Sequence, residues 1–371
     1  MKVNTISLNS VRLNTIALNH IGEIRSGGGG SKPSPIPQWI REHVVFYYDV
    51  KKQGATNETL KESAYLQDLS GKGRRMKLNN FLFDMMSGVD GYNNEAFNKS
   101  AGSSFEWELI DSRTIKGKAS QVFTDFGYYH IKDVTNNVMH INWHIDGIQE
   151  GNKVYLTQYT YNNFKIELHN GDNHVALDVS ENTDRPNYFY VSVISDQPYS
   201  TDITITQIPE YPGALVTDGV DDYGLVENLS SGVKMLFMTV NPIGDFNIGK
   251  MYYSQRYNPI DITPFYIFTG GTNIAYAGNR DDLTYINGVL NKSIKYNEFF
   301  GVKHTITTVN DNVKPETSKA PSFFWEEGNT KNYCSRLAFY NSIAFDSIPT
   351  EADGFTEQEL IDYVITNIIG Q

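Results

Sequence analysis

Between residues 105 and 208 apolar side chains recur at every second position in one short segment after another. These are Phe105–Ile110, Gly127–Ile131, Val138–Ile145, Val154–Tyr161, Phe164–Leu168, Val175–Val179, Tyr188–Ile194 and Ile203–Ile208. A period of two sends alternate side chains to opposite faces of an extended chain, so each segment reads as a strand with one buried face. Turn residues stand between them, Asp146-Gly147 and Asn170-Gly171 included. About seven or eight such strands complete a β-sandwich.

Length and composition extend this reading to the whole chain. At 371 residues two globular units plus tails are expected. Aromatic residues make up 13%, with 24 Tyr, and the apolar runs are short, which favours an all-β fold. A formal charge of -12 argues against nucleic acid as the principal partner, since phosphate binding draws on Lys and Arg. The local basic group Lys72, Arg74, Arg75 and Lys77 reads as a solvated turn. No apolar run approaches the roughly 20 residues of a membrane-spanning helix, so no membrane insertion is expected. Cys334 is the single cysteine and allows no internal disulfide, in keeping with synthesis in a reducing cytoplasm.

Residues 1–25 repeat themselves in units of five: Val3-Asn4-Thr5-Ile6-Ser7, Leu8-Asn9-Ser10-Val11-Arg12, Leu13-Asn14-Thr15-Ile16-Ala17 and Leu18-Asn19-His20-Ile21-Gly22. The Asn in every unit leaves no apolar core for a signal peptide. A repeat this short cannot bury its own apolar residues. It reads as a docking peptide, with Ile6, Val11, Ile16 and Ile21 as the contact positions. Residues 26–37 form a linker, flexible across Gly27–Gly30 and stiffer and extended across Lys32–Pro37.

The body begins near Gln38 with the continuous apolar strand His43–Val50, of the kind buried on both faces. A turn at Asp68–Gly73 and a strand at Leu78–Phe83 follow. Beyond residue 210, Ala214–Val216 and Tyr223–Val226 flank the turn Thr217-Asp218-Gly219-Val220-Asp221-Asp222. Val233–Val240 reads as a central strand and Phe265–Phe268 as another. Leu283–Leu290 carries Asn287-Gly288, the strongest short hairpin signal. Thr356 and Glu359 spell a capping box for a helix from about Glu357 to Ile369.

The wording of these segments resembles the concanavalin A-like, or laminin G-like, sandwich. The stretch Asp218–Tyr223 is similar to that family's "DGVDDY" strand pair, and Leu283–Leu290 to its "L-Y-V-N-G-x-L" hairpin. Arg336–Asn341 is similar to its penultimate strand, and Phe355–Leu360 to its closing helix. In the family the "DGVDDY" strand follows the opening within a few dozen residues. The resemblance therefore implies an all-β, concanavalin A-like jelly-roll sandwich over 38–93 and 211–371, an inserted second β-sandwich over 94–210, and a short C-terminal helix. Asn- and Tyr-rich wording with a short anchoring peptide also resembles virion appendage proteins, tail or head fibres, of tailed phages of gut bacteria.

Candidate chemistry is sparse. Glycosidases on this sandwich carry alternating acids on one strand, and Glu106 with Glu108 is the nearest match. Their Cβ atoms would lie about 7 Å apart on one strand face, near the roughly 5–5.5 Å of a retaining pair. They fall within the insertion, however, and a solvent-facing role is expected. Glu326 and Glu327 are adjacent and point to opposite faces. His140 and His144 share a strand face but stand about 13 Å apart, too far for one zinc. They read as surface histidines, and Cys334 as buried packing. No cofactor is expected. Asp218, Asp221 and Asp222 have the oxygen ligands that Ca²⁺ takes, as some laminin G-like domains do at loop ends, but a capped turn is the expected role.

Sugar binding needs aromatic faces and a few amides. Tyr252, Tyr253, Arg256 and Tyr257, and Tyr159 and Tyr161 in the insertion, are suitable in type. The expectation is a non-enzymatic virion structural protein, made in the host cytoplasm. It joins other virion proteins through its N-terminal segment, stands in many copies or as a homo-oligomer, and attaches to a host-surface glycan. A glucanase-type hydrolase and a bacterial adhesin module are the alternatives.

Overall fold

The computed structural model describes residues 34–94, 96–97, 107–117, 123–129, 138–151, 153–158, 161–178, 188–194, 202–229, 232–243, 251–255, 265–270, 273–277, 283–290, 294–310, 321–324 and 334–370. The N-terminal repeat, with Ile6, Val11, Ile16 and Ile21, lies outside them. The described strands form several antiparallel sheets, and the chain is all-β with a short C-terminal helix. It divides into two compact units. One comprises the described residues up to Phe83, Ser87–Val89 and the chain from Gly213 onward; the other comprises Asp84–Met86 and Asp90–Pro212.

The first unit has two sheets of eight described strands. In one, Met235–Pro242 lies between His304–Val309 and Leu337–Phe345. Val44–Asp49 and Leu215–Val216 also pair with Leu337–Phe345. Every residue of Val44–Asp49 is buried, as its unbroken apolar run requires. Met235–Pro242, which also pairs with Leu337–Phe345, shows why. Leu236, Met238 and Val240 join the core shared with the second sheet, while Met235 and Phe237 join a separate apolar cluster with two helices. Such a strand has no solvent face, so alternation disappears from its sequence.

The helix Ile36–His43, hereafter α1, corrects the extended spacer expected as far as Pro37. Proline fits the first helical turn, where its missing N–H has no partner to lose. Ile36, Trp39 and Ile40 recur at helical spacing and are buried, with the Trp39 ring edge-on to Phe355 at 5.9 Å. A second short helix, Asn57–Ser63, is capped by Thr56. The expected strand Leu78–Phe83 ends early: Met76–Asn79 is the strand, and Asn80 and Phe83 take φ values of 66° and 53° that turn the chain away.

The Asn-Gly hairpin forms as read, Leu283–Ile286 pairing with Val289–Leu290 through Asn287 at φ 51° and Gly288 at φ 82°. The closing helix also begins as read. The Thr356 hydroxyl accepts the Glu359 N–H at 3.2 Å, and the Thr356 N–H donates to Glu359 Oε2 at 2.7 Å. The α-helix covers Glu357–Val364 and continues as a π-helical turn, Ile365–Ile369. The Asn341 amide donates to the Ile369 carbonyl at 3.4 Å, satisfying one of the acceptors a helix end leaves open.

The second unit has nine described strands in two sheets. One runs in the order Tyr161–Leu168, Lys153–Gln158, Tyr188–Ile194, Phe123–Tyr129. The other runs Gly171–Asp178, Val138–Asp146, Ile203–Gln207, Thr114–Gly117, Trp107–Asp111. Ile141, Trp143 and Ile145 point inward with Ile203 and Ile205, and meet Val154, Leu156 and Leu168 of the facing sheet. The period of two thus marks the buried face residue by residue. The ends of the unit are joined by backbone, the Glu210 N–H donating to Gly91 O and the Tyr211 N–H to Asp90 O, both at 2.8 Å.

Candidate functional site

The side chains opposite that core make a polar sheet face in the second unit. Inward Ile141, Trp143 and Ile145 force His140, Asn142, His144 and Asp146 outward. Antiparallel register then sets Asp172 across from His144, His174 across from Asn142 and Ala176 across from His140. On the other side Thr204 stands across from Asp146 and Thr206 across from His144.

These side chains are joined across the strands. His144 Nδ1 bonds Asp172 Oδ1, and its Nε2 lies 3.2 Å from Asp146 Oδ2. A carboxylate oxygen only accepts, so the ring satisfies both by donating from both nitrogens. The Asp172 hydrogen bond, helped by the Asp146 charge, raises the His144 pKa above its ordinary value and favours the imidazolium. His174 Nδ1 lies 2.9 Å from Asn142 Oδ1, and Asn142 Nδ2 donates to Glu210 Oε2 at 2.7 Å. Asn93 Nδ2 donates to the same Glu210 oxygen at 3.2 Å. The result is a fixed row of imidazoles, amides and carboxylates that can both donate and accept. Asp172, His174, Glu210 and Asn93 were not singled out from sequence, because only strand register brings them beside His144 and Asn142.

The expected sugar-stacking tyrosines fare differently. Tyr252 and Tyr253 are 1% and 0% exposed, and neither offers a ring face to a ligand. Their strand, Met251–Gln255, lies inside its sheet between Ser322–Phe323 and Phe265–Gly270. A register shift between Met251 and Tyr253 accompanies the burial of both neighbours in one core, as a bulge permits. Tyr253 packs edge-on to Phe323 at 5.1 Å and Tyr252 against Phe299 at 6.0 Å. Arg256, Tyr257 and Tyr159 lie outside the described residues; Tyr161 opens its strand, with its side chain outside them.

Of the candidate acids, Glu106, Glu326 and Glu327 lie outside the described residues. Glu108 is exposed on the edge strand Trp107–Asp111, across from Lys116. Cys334 is buried at 1% exposure, as read.

In the first unit the residues Thr217–Asp222 carry the chain from one sheet to the other. The Thr217 hydroxyl fixes the start of this corner, donating to Ser335 O at 2.6 Å and accepting the Leu337 N–H at 3.0 Å. Gly219 sits at φ 77°, and a Cβ there would lie 2.8 Å from Arg336 Cβ, so only glycine fits. Asp218 Oδ1 accepts the Val220 N–H at 2.7 Å, and Asp222 Oδ2 accepts the Asp218 N–H at 2.9 Å. The expected turn capping is present. Carboxylate oxygens of Asp218, Asp221 and Asp222 nevertheless all lie within 4.8 Å of one another. Asp222 is wholly buried, and its Oδ1 has no hydrogen-bond partner among the described residues. Burial, then the charges of Asp218 and Asp221, push its pKa up to about 7, against the opposing pull of the Asp218 N–H and the Ser87 hydroxyl.

No protein-family model and no curated protein matches the chain. Among solved structures, one from Parabacteroides distasonis, whose name marks it as a candidate secreted protein, is 8% identical over 82% of this chain and 98% of its own. Its TM-score of 0.14 is too low to relate the two folds.

Proposed function

We propose that the protein is a non-enzymatic virion appendage protein of the tail- or head-fibre kind that attaches to a host-surface glycan. In this reading the first unit is a concanavalin A-like jelly roll, and the second is a sandwich domain inserted into it for display. The five-residue repeat anchors the chain to other virion proteins, and the Gly/Pro linker lets the body reach outward. The observation that carries the binding assignment is the cross-linked row His144–Asp172 and His174–Asn142–Glu210 on the outer face of the second unit. A glycan presents many hydroxyls that each donate and accept, and a row of fixed amides, imidazoles and carboxylates meets them without reordering.

Single hydrogen bonds of this kind contribute about 0.5–1.5 kcal/mol each, so one site is weak and many copies supply the strength. The test is binding of the full chain to host cells and to their isolated surface polysaccharide, as monomer and as a streptavidin-clustered tetramer. Clustering is expected to raise apparent affinity at least about a hundredfold. Equal weak binding by both forms to host and unrelated cells would overturn the assignment.

A further inference from the structure

We propose that protonation of His144 switches the polar face of the second unit: the imidazolium locks the row and the neutral ring releases it, so that attachment is strongest in mildly acidic surroundings. This regulation rests on the reading of that row as the glycan-binding site. It is carried by the use of both ring nitrogens, Nδ1 bonding Asp172 Oδ1 and Nε2 lying 3.2 Å from Asp146 Oδ2. Ionised carboxylates only accept hydrogen bonds, and only the imidazolium has an N–H to give each of them.

A neutral imidazole keeps one N–H, so one of the two carboxylates then faces a bare nitrogen lone pair. The side chains of Asp146 and Asp172 are 70% and 59% exposed, and whichever loses its donor turns to water. The surroundings of the ring favour its charged form. Asp146 lies on the ring's own strand and Asp172 on the paired strand Gly171–Asp178, while Ile203–Gln207 sets the neutral Thr206 across from His144. Further across the sheet, Lys116 is engaged by Asp202 at 2.8 Å and stands opposite Glu108. Along the row, His174 contacts the neutral Asn142 Oδ1, Glu210 accepts from Asn142 and Asn93, and His140 stands across from Ala176. The Asp172 hydrogen bond, joined by the Asp146 charge, keeps the His144 proton to a pH above the usual 6.5. The row is therefore complete below that raised value and loses a contact as pH rises through it.

The test uses the full chain with isotope-labelled His and Asp, followed by magnetic resonance from about pH 5.5 to about pH 9. His144, assigned by its loss in His144→Gln, is expected to carry a proton on both nitrogens until above 6.5, and the Asp146 and Asp172 carboxyl signals to shift with it. Deprotonation below 6.5, or carboxyl signals that ignore the ring, would overturn the switch. Plasmon resonance of clustered chains over host-surface polysaccharide gives the functional readout. Wild-type binding is expected to weaken about two- to tenfold from the acid to the alkaline end, the worth of one hydrogen bond. His144→Arg, with a permanent charge and several N–H groups, and His144→Gln, with no charge, are expected to lose this pH dependence, the Arg variant binding the more tightly. Wild-type binding independent of pH, or an unchanged pH dependence in His144→Gln, would contradict the proposal. Absence of wild-type binding at every pH would remove the glycan reading, and the spectra alone then decide the switch.

Discussion

Asp222 Oδ2 accepts the backbone N–H of Asp218 at 2.9 Å, closing the corner between the two sheets of the first unit with a wholly buried carboxylate. The same residue ties the corner to pH. Its pKa rises from 3.8 to about 7, mainly through burial. The folded state therefore holds a proton that the unfolded chain has already released, and stability falls as pH rises from about 4 to about 7. At about 1.4 kcal/mol per pH unit this contribution is of order 4 kcal/mol. Urea midpoints measured in chelator should show this slope in the wild type and a flatter curve in Asp222→Asn. Identical curves would contradict the burial argument.

The closing helix tests the capping reading. Thr356 and Glu359 satisfy each other's backbone N–H groups, and the helix buries Leu360, Ile361 and Val364. Thr356→Ala should lower unfolding free energy by about 1 kcal/mol, and Thr356→Ser should recover most of it. Chemical denaturation of both variants distinguishes them.

Backbone bonds between Asp90 and Tyr211, and between Gly91 and Glu210, bring the ends of the second unit together. The stretch 90–212 made alone should therefore fold with a cooperative melt, and the chain lacking it, joined by a short Gly/Ser bridge, should fold as well. If neither piece shows a cooperative transition by circular dichroism, the inserted-domain reading is wrong.

Local chemistry is what the residues disclose before folding. Capping boxes and Asn-Gly hairpins are local chemistry, and Thr356–Glu359 and Asn287-Gly288 act within a few residues of themselves, so they are readable. The alternation at Ile141, Trp143 and Ile145 is readable because the strand has one dry face. Alternation fails at Tyr252 and Tyr253, where a bulge in an interior strand buries both neighbours. The row His144–Asp172 and His174–Asn142 depends on pairing between strands about 30 residues apart in the chain. Nothing local announces that register. Helix α1 was hidden by Pro35 and Pro37, which read as an extended spacer although proline suits a first helical turn.

The N-terminal repeat is proposed to order only on a partner. Removing Met1–Gly30 should leave the melting temperature of the body unchanged within about 1 °C, since a segment that orders on a partner makes its contacts there, while abolishing incorporation into particles. Substituting Ile6, Val11, Ile16 and Ile21 by Asp should do the same. Normal incorporation of either variant by particle-bound immunoassay would remove the docking role.

The polar face is tested most directly by surface plasmon resonance of clustered chains over host-surface polysaccharide, comparing wild type with an Asp172→Ala/His174→Ala double variant. Both residues are exposed, so each substitution should change stability by no more than about 0.5 kcal/mol. The account predicts a loss of binding of at least tenfold at unchanged melting temperature, with no reducing sugar released by either protein. Undiminished binding by the double variant, or release of reducing ends that stops in Glu106→Gln or Glu108→Gln, would contradict it.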